Sequence, residues 1–88
     1  MITANEARRK LLSKEQNEKI DEFFRVTNIA LDDFLSNRKR NMIITAKSEP
    51  ILLDRDCCEI IMDEFSRLGY AIGWEQNGSD LVKLNIGW

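Results

Sequence analysis

The 88-residue sequence predicts an α+β fold, a long N-terminal helix followed by a β-α-β-β unit with a three-stranded, mostly antiparallel sheet. Three observations carry that prediction. From Ile20 onward, Ile20, Phe23, Phe24, Thr27, Ala30, Leu31, Phe34 and Leu35 recur at three-and-four spacing, the signature of an amphipathic helix. The stretch Met42-Ile43-Ile44-Thr45-Ala46-Lys47 is short, rich in β-branched residues and closed by Ser48-Glu49-Pro50, which reads as a strand followed by a loop. Finally, Tyr70, Ile72 and Trp74 alternate on one side of Asn77-Gly78, and Val82, Leu84, Ile86 and Trp88 alternate on the other, as in a β-hairpin.

Each element has its own local justification. Thr3 with Glu6 forms a capping box, and Ile2 with Ala7 a weak hydrophobic staple, so a helix starts almost at the first residue. Ser13 and Gln16 repeat the box. Either the helix breaks and restarts near Ser13, or one helix runs from about Ala4 to Asn37; the single helix, with a kink, is the preferred reading. Glu6 with Lys10, Lys14 with Glu18 and Glu15 with Lys19 are i,i+4 pairs suited to a solvent-facing side. Arg38-Lys39-Arg40 lies at the helix end, where cations complement exposed carbonyls. A second helix begins at the N-cap Asp54, carries Asp56 and Glu59 in its positive first turns, and stops at Gly69 after Arg67 and Leu68. Its expected inward face is Cys58, Ile61, Met62, Phe65 and Leu68, with Cys57 and Ile60 at the margins. The loop from about Gln76 to Asp80 reads as longer than a two-residue turn. A right-handed crossover makes the first two strands parallel, and the third then fits between them, antiparallel to both, which buries Val82, Leu84 and Ile86 at the centre.

Composition mostly excludes. One domain, residues 1–88, is expected, divided into a helical region (1–41) and the β-α-β-β unit (42–88). Hydrophobic residues are 43% and charged residues 32%, as in a folding chain. Thirteen basic and 15 acidic residues give a net charge of -2, too small for the one-sided field of a generic polyanion binder or a DNA mimic. There is no histidine, so the commonest general base and the commonest metal ligand are missing, and neither a catalytic set, a metal site nor a cofactor is expected. Cys57 and Cys58 are adjacent on a helix, about 100° apart, which rules out a disulfide framework and fits a reducing cytoplasm. The opening Met1-Ile2-Thr3-Ala4-Asn5-Glu6 predicts no signal peptide, and no apolar run nears the roughly 20 residues that a membrane span needs.

Candidate sites follow from residue type and spacing. The apolar stripe exceeds what a three-stranded sheet already covered by one helix can bury, so Ile20, Phe23, Phe24, Leu31 and Phe34, together with the terminal Trp88, form a candidate interface for a partner or a second copy. Arg38, Lys39 and Arg40 are candidate phosphate contacts, yet residues 1–41 carry nine basic and seven acidic groups, a net of +2 that argues against nucleic acid. Residues 42–88 carry four basic and eight acidic groups, a net of -4, and Asp56, Glu59 and Asp63 line up at i, i+3 and i+7 as an acidic docking face for a basic partner. Cys57 and Cys58 sit near a positive helix end but among Asp54, Asp56 and Glu59, and no histidine can activate them, so both are expected to be structural.

The opening Met1-Ile2-Thr3-Ala4-Asn5-Glu6-Ala7-Arg8, the helix ending Leu68-Gly69-Tyr70 and the hairpin ending Ile86-Gly87-Trp88 resemble small accessory proteins encoded by tailed bacteriophages. That resemblance implies a host-takeover or counter-defence factor that binds and inhibits a host or defence-system protein, located in the bacterial cytoplasm. It brings no catalytic motif. A self-assembling virion or assembly component is the alternative expectation, and a small nucleotide or nucleic-acid binder a third.

Overall fold

The sheet has the order first-third-second strand, with both outer strands antiparallel to the central one, as the crossover argument predicts. The computed structural model describes residues 1–78 and 80–88. Its elements are α1 (Ala4–Lys10), α2 (Lys14–Ser36), β1 (Asn41–Thr45), a short 3-10 helix (Pro50–Leu53), α3 (Arg55–Arg67), β2 (Ala71–Asn77) and β3 (Asp80–Gly87).

The preferred single, kinked N-terminal helix is corrected to two helices. Ser13 is a full N-cap: its hydroxyl accepts from the Gln16 N–H, and the Gln16 side chain accepts from the Ser13 N–H at 3.0 Å. The capping box satisfies a fresh set of helix N–H groups, so the chain turns at Leu11-Leu12-Ser13 and restarts. Arg9 locks the corner, donating to the Asn17 side chain at 2.9 Å and to Asp21 at 2.7 Å, while the Asn17 amide donates to the Arg9 carbonyl at 2.9 Å.

Helices α2 and α3 end with the same hydrogen-bond pattern but with different residues at the left-handed position. In α2 the N–H groups of Arg38 and Lys39 bond the carbonyls of Leu35 and Phe34; in α3 those of Gly69 and Tyr70 bond Ser66 and Phe65. Both are Schellman endings that require a left-handed residue, supplied by Gly69 at φ +97° and, unusually, by Arg38 at φ +58°. After α3 the expected apolar contact across the motif is present, with Phe65 and Tyr70 edge to face at 5.6 Å. Tyr70 in turn meets Trp88 at 6.4 Å, and Trp88 donates its indole N–H to the Lys39 carbonyl at 3.0 Å, fastening the last residue to the turn before β1.

One face of the sheet carries the core. Met42 and Ile44 of β1 and Leu84 and Ile86 of β3 pack with Phe23 and Leu31 of α2 and Cys58, Ile61 and Phe65 of α3. A second cluster of Ile20, Cys57 and Ile60 lies between α2 and the start of α3. This corrects the expected face of α3: Cys57 and Ile60 are fully inside because α2 covers them, whereas Leu68, past the last helical turn, is 58% exposed. The other sheet face is wet, with Lys83 and Glu75 as a cross-strand ion pair at 3.8 Å and Asn41 bonded to Asn85 at 3.1 Å. The hairpin is tighter than expected. Asn77 pairs with Asp80, leaving Gly78, at φ +66°, and Ser79, which lies outside the described residues.

Candidate functional site

The candidate interface on the helical stripe is largely withdrawn by this packing. Ile20, Phe23 and Leu31 are 0%, 2% and 5% exposed, spent on the chain's own core, because α2 lies along α3 and the 3-10 segment. Phe24 and Phe34 are half-buried against the same cluster. Trp88 keeps part of its surface but is committed to Tyr70 and Lys39. Arg38, Lys39 and Arg40 are exposed, and among the described residues none forms an ion pair.

The acidic face of α3 is where it was expected, and it adjoins Trp74, one of the alternating residues of β2. Asp56, Glu59 and Asp63 are exposed, with Glu59 at 3.5 Å from Arg55 and Asp63 at 3.8 Å from Arg8. Exposed pairs of this kind are worth only about 0.2–1 kcal/mol and exchange readily for other cations. Beside them a groove runs between α3 and β2, lined by Glu59, Met62, Asp63, Ile72 and Trp74. Trp74 is opposite Leu84 in register, so it points to the helix-covered side of the sheet, yet it is 58% exposed because β2 is an edge strand and α3 does not reach across it.

Main-chain geometry adds to this surface. The Ala46 N–H donates to the Val82 carbonyl and the Trp88 N–H to the Arg40 carbonyl, so the even-numbered residues of β3 direct their peptide groups toward β1. Alternation then turns Lys83, Asn85 and Gly87 toward β2, where they face Glu75, Gly73 and Ala71. Ile72 and Trp74, on the other phase, present their N–H and C=O groups outward from the open edge. A register shift between Glu75 and Gln76 ends the regular edge there. Edge β1 is shorter, and its Thr45 carbonyl is already taken by the Glu49 N–H at 2.9 Å.

The cysteines are buried, at 0% and 4% exposure. Burial, together with the hydrogen-bonded Asp54, pushes the Cys57 thiol up to about 11, and burial with Glu59 pushes Cys58 up as well. Both thiols are therefore protonated and shielded at neutral pH, the opposite of an activated nucleophile. Among the described residues, no three potential ligands come together in a way that could hold a metal ion, and no helix is long and apolar enough to cross a membrane.

Two polar anchors escaped the sequence reading. Asn5, 6% exposed, donates to the Ile60 carbonyl at 3.2 Å and to Glu64 at 3.4 Å, and accepts from Arg8 at 3.3 Å. Gln16 donates to the N-cap Asp54 at 3.0 Å, linking the starts of α2 and α3 and holding the Asp54 carboxyl below its ordinary range. The only signal for either was a polar residue in the first turn of a helix, which is also the commonest place for a solvent-facing one. No protein-family model matches the chain, and no curated protein or solved structure is detectably similar to it.

Proposed function

We propose that this chain is a non-enzymatic binding protein that acts by occupying the surface of a protein partner, docking through the open edge of β2 beside Trp74. The observation that carries the reading is the coincidence of Ile72 and Trp74 side chains lining the α3 groove with outward-facing peptide groups at the same two residues. An extended partner segment placed there would gain main-chain hydrogen bonds from the edge and side-chain contacts from the groove, the two components of strand addition. Trp is also among the residue types most enriched in interface hot spots, and a half-exposed indole in the same groove as Met62 and Ile72 is a ready anchor.

The resemblance to small accessory proteins of tailed phages supports a host or defence-system protein as the partner and the cytoplasm of a host bacterium as the place. A homo-oligomeric seam along the Ile20-to-Leu35 stripe is not carried further, since Ile20, Phe23 and Leu31 are consumed by the core. Affinity capture from bacterial lysate, quantified for the wild type and for Trp74→Ala, tests the proposal. A protein retained by the wild type and lost with Trp74→Ala, at unchanged circular dichroism, supports it. Equal retention by both, or nothing above background, rejects it.

A further inference from the structure

A second concave surface lies apart from Trp74, between α2 and the 3-10 segment, with a volume of about 580 Å³. Its floor is apolar: Phe23, Val26, Pro50 and Ile51, with Val26 40% exposed. Its rim carries Glu15, Glu18, Glu22, Glu49 and Asp54 against the single cation Lys19. An apolar floor inside a ring of carboxylates leaves apolar area in water that apolar side chains of a ligand could cover.

Glu15, Glu18, Glu22 and Val26 fall at i, i+3, i+7 and i+11 along α2, a straight stripe about 16 Å long, or three helical turns. The partners that α2 itself offers these acids are exposed: Lys19 to Glu15 at 3.4 Å, Lys14 to Glu18 at 4.0 Å, and Arg25 to Glu22. Lys14 and Arg25 do not line the groove. Glu49 has no ion-pair partner among the described residues, and Asp54 is held by Gln16 and the Cys57 N–H. We infer that this groove binds a cationic amphipathic helix of a partner protein, whose apolar side chains lie on Val26, Pro50 and Ile51 while its arginine or lysine heads reach the rim. Length and spacing favour a helix laid along α2, and the one-sided rim charge selects a basic one. A basic side chain suits both layers at once, since its aliphatic stem can lie on the floor while the charged head stays at the wet rim.

The inference is independent of the Trp74 proposal, because the two surfaces share no residue. The probe is a blocked twelve-residue helix-forming peptide with arginine flanking a leucine stripe, titrated into the full chain at physiological salt and followed by amide chemical shifts. A scrambled peptide of the same composition serves as the control. The expected result is saturable binding with shifts at Glu18, Glu22, Val26 and Ile51, at least tenfold tighter than the scrambled peptide. Glu18→Gln/Glu22→Gln/Glu49→Gln should weaken it roughly tenfold, three exposed pairs at about twofold each. Val26→Ser should weaken it about threefold with no change of charge. Neutralising the same number of acids elsewhere, Asp32→Asn/Asp33→Asn/Glu59→Gln, should change it less than twofold, and Trp74→Ala should leave it unaltered. Equal binding of the scrambled peptide, equal loss in both triple variants, or shifts centred on Asp56 to Asp63 would overturn the inference. So would self-association of the wild type that the groove variants abolish, since the occupant would then be another copy of this chain.

Discussion

Replacing Asn5 with alanine should detach α1 while leaving the rest of the fold in place. The helix has seven residues, and Asn5 is its one buried residue. A helix this short has no stability of its own in water, which takes about 12–15 residues even in favourable sequences. It is held by polar contacts: Asn5 to Ile60, Glu64 and Arg8 at 3.2, 3.4 and 3.3 Å, and Arg9 to Asn17 and Asp21. At about 0.5–1.5 kcal/mol net per hydrogen bond, with the buried bond near the middle of that range and the two longer ones below it, Asn5→Ala should cost about 2 kcal/mol. That is roughly a 30-fold rise in the local opening equilibrium. Hydrogen exchange read by mass spectrometry should show residues 1–12 losing protection by that factor, and trypsin should cut faster after Arg8, Arg9 and Lys10. Amides of α3 and β3 should exchange as before. Unchanged protection of α1, or loss of protection throughout the chain, would refute the idea that α1 is a separately docked segment fixed through Asn5.

Three further outcomes follow from the same physical arguments. Arg38→Gly should stabilise the fold by about 0.5 kcal/mol, because the left-handed cost of roughly 1–2 kcal/mol is relieved and partly offset by the freer unfolded chain, whereas Gly69→Ala at φ +97° should cost about 1 kcal/mol; urea midpoints of the pair check both signs. Cys57 and Cys58 should resist alkylation at pH 8 in the folded protein and react at the ordinary rate once urea unfolds it, as mass labelling would show. Asp54 has a folded pKa below its ordinary 3.8, so its contribution is present above pH 3.8 and is lost as the pH falls below that through the folded value; Asp54→Asn should flatten the acid limb of stability against pH in a denaturation series.

The strand order was legible because one short β-branched run, two alternating runs and one crossover leave few ways to build a sheet, and burying Val82, Leu84 and Ile86 centrally chooses among them. Caps were legible too: Thr3, Asp54 and Gly69 act through local rules and sit where those rules put them. What the sequence hid were quantities that depend on which elements meet. The Ser13 box looked incidental beside a long apolar stripe, yet a complete box outweighs continuity when Arg9 and Asn17 can brace the corner. The stripe itself looked surplus because only the sheet was counted as its partner, whereas α3 and the 3-10 segment bury Ile20 and Phe23. The exposure of Trp74 was hidden because alternation gives the face of a strand and not whether a helix extends over it. Asp56, Glu59 and Asp63 were readable as an acidic row from spacing alone; the groove beside them required the fold.

The most direct test of the binding account is site-specific photocrosslinking in living bacteria. A benzophenone side chain placed at Trp74 should give a discrete higher-mass product containing a second protein. The same group at Ile43, which is 57% exposed on the wet face of the sheet, should give none. No product from position 74, or the same products from both positions, would contradict the claim that the open β2 edge is where this chain meets its partner.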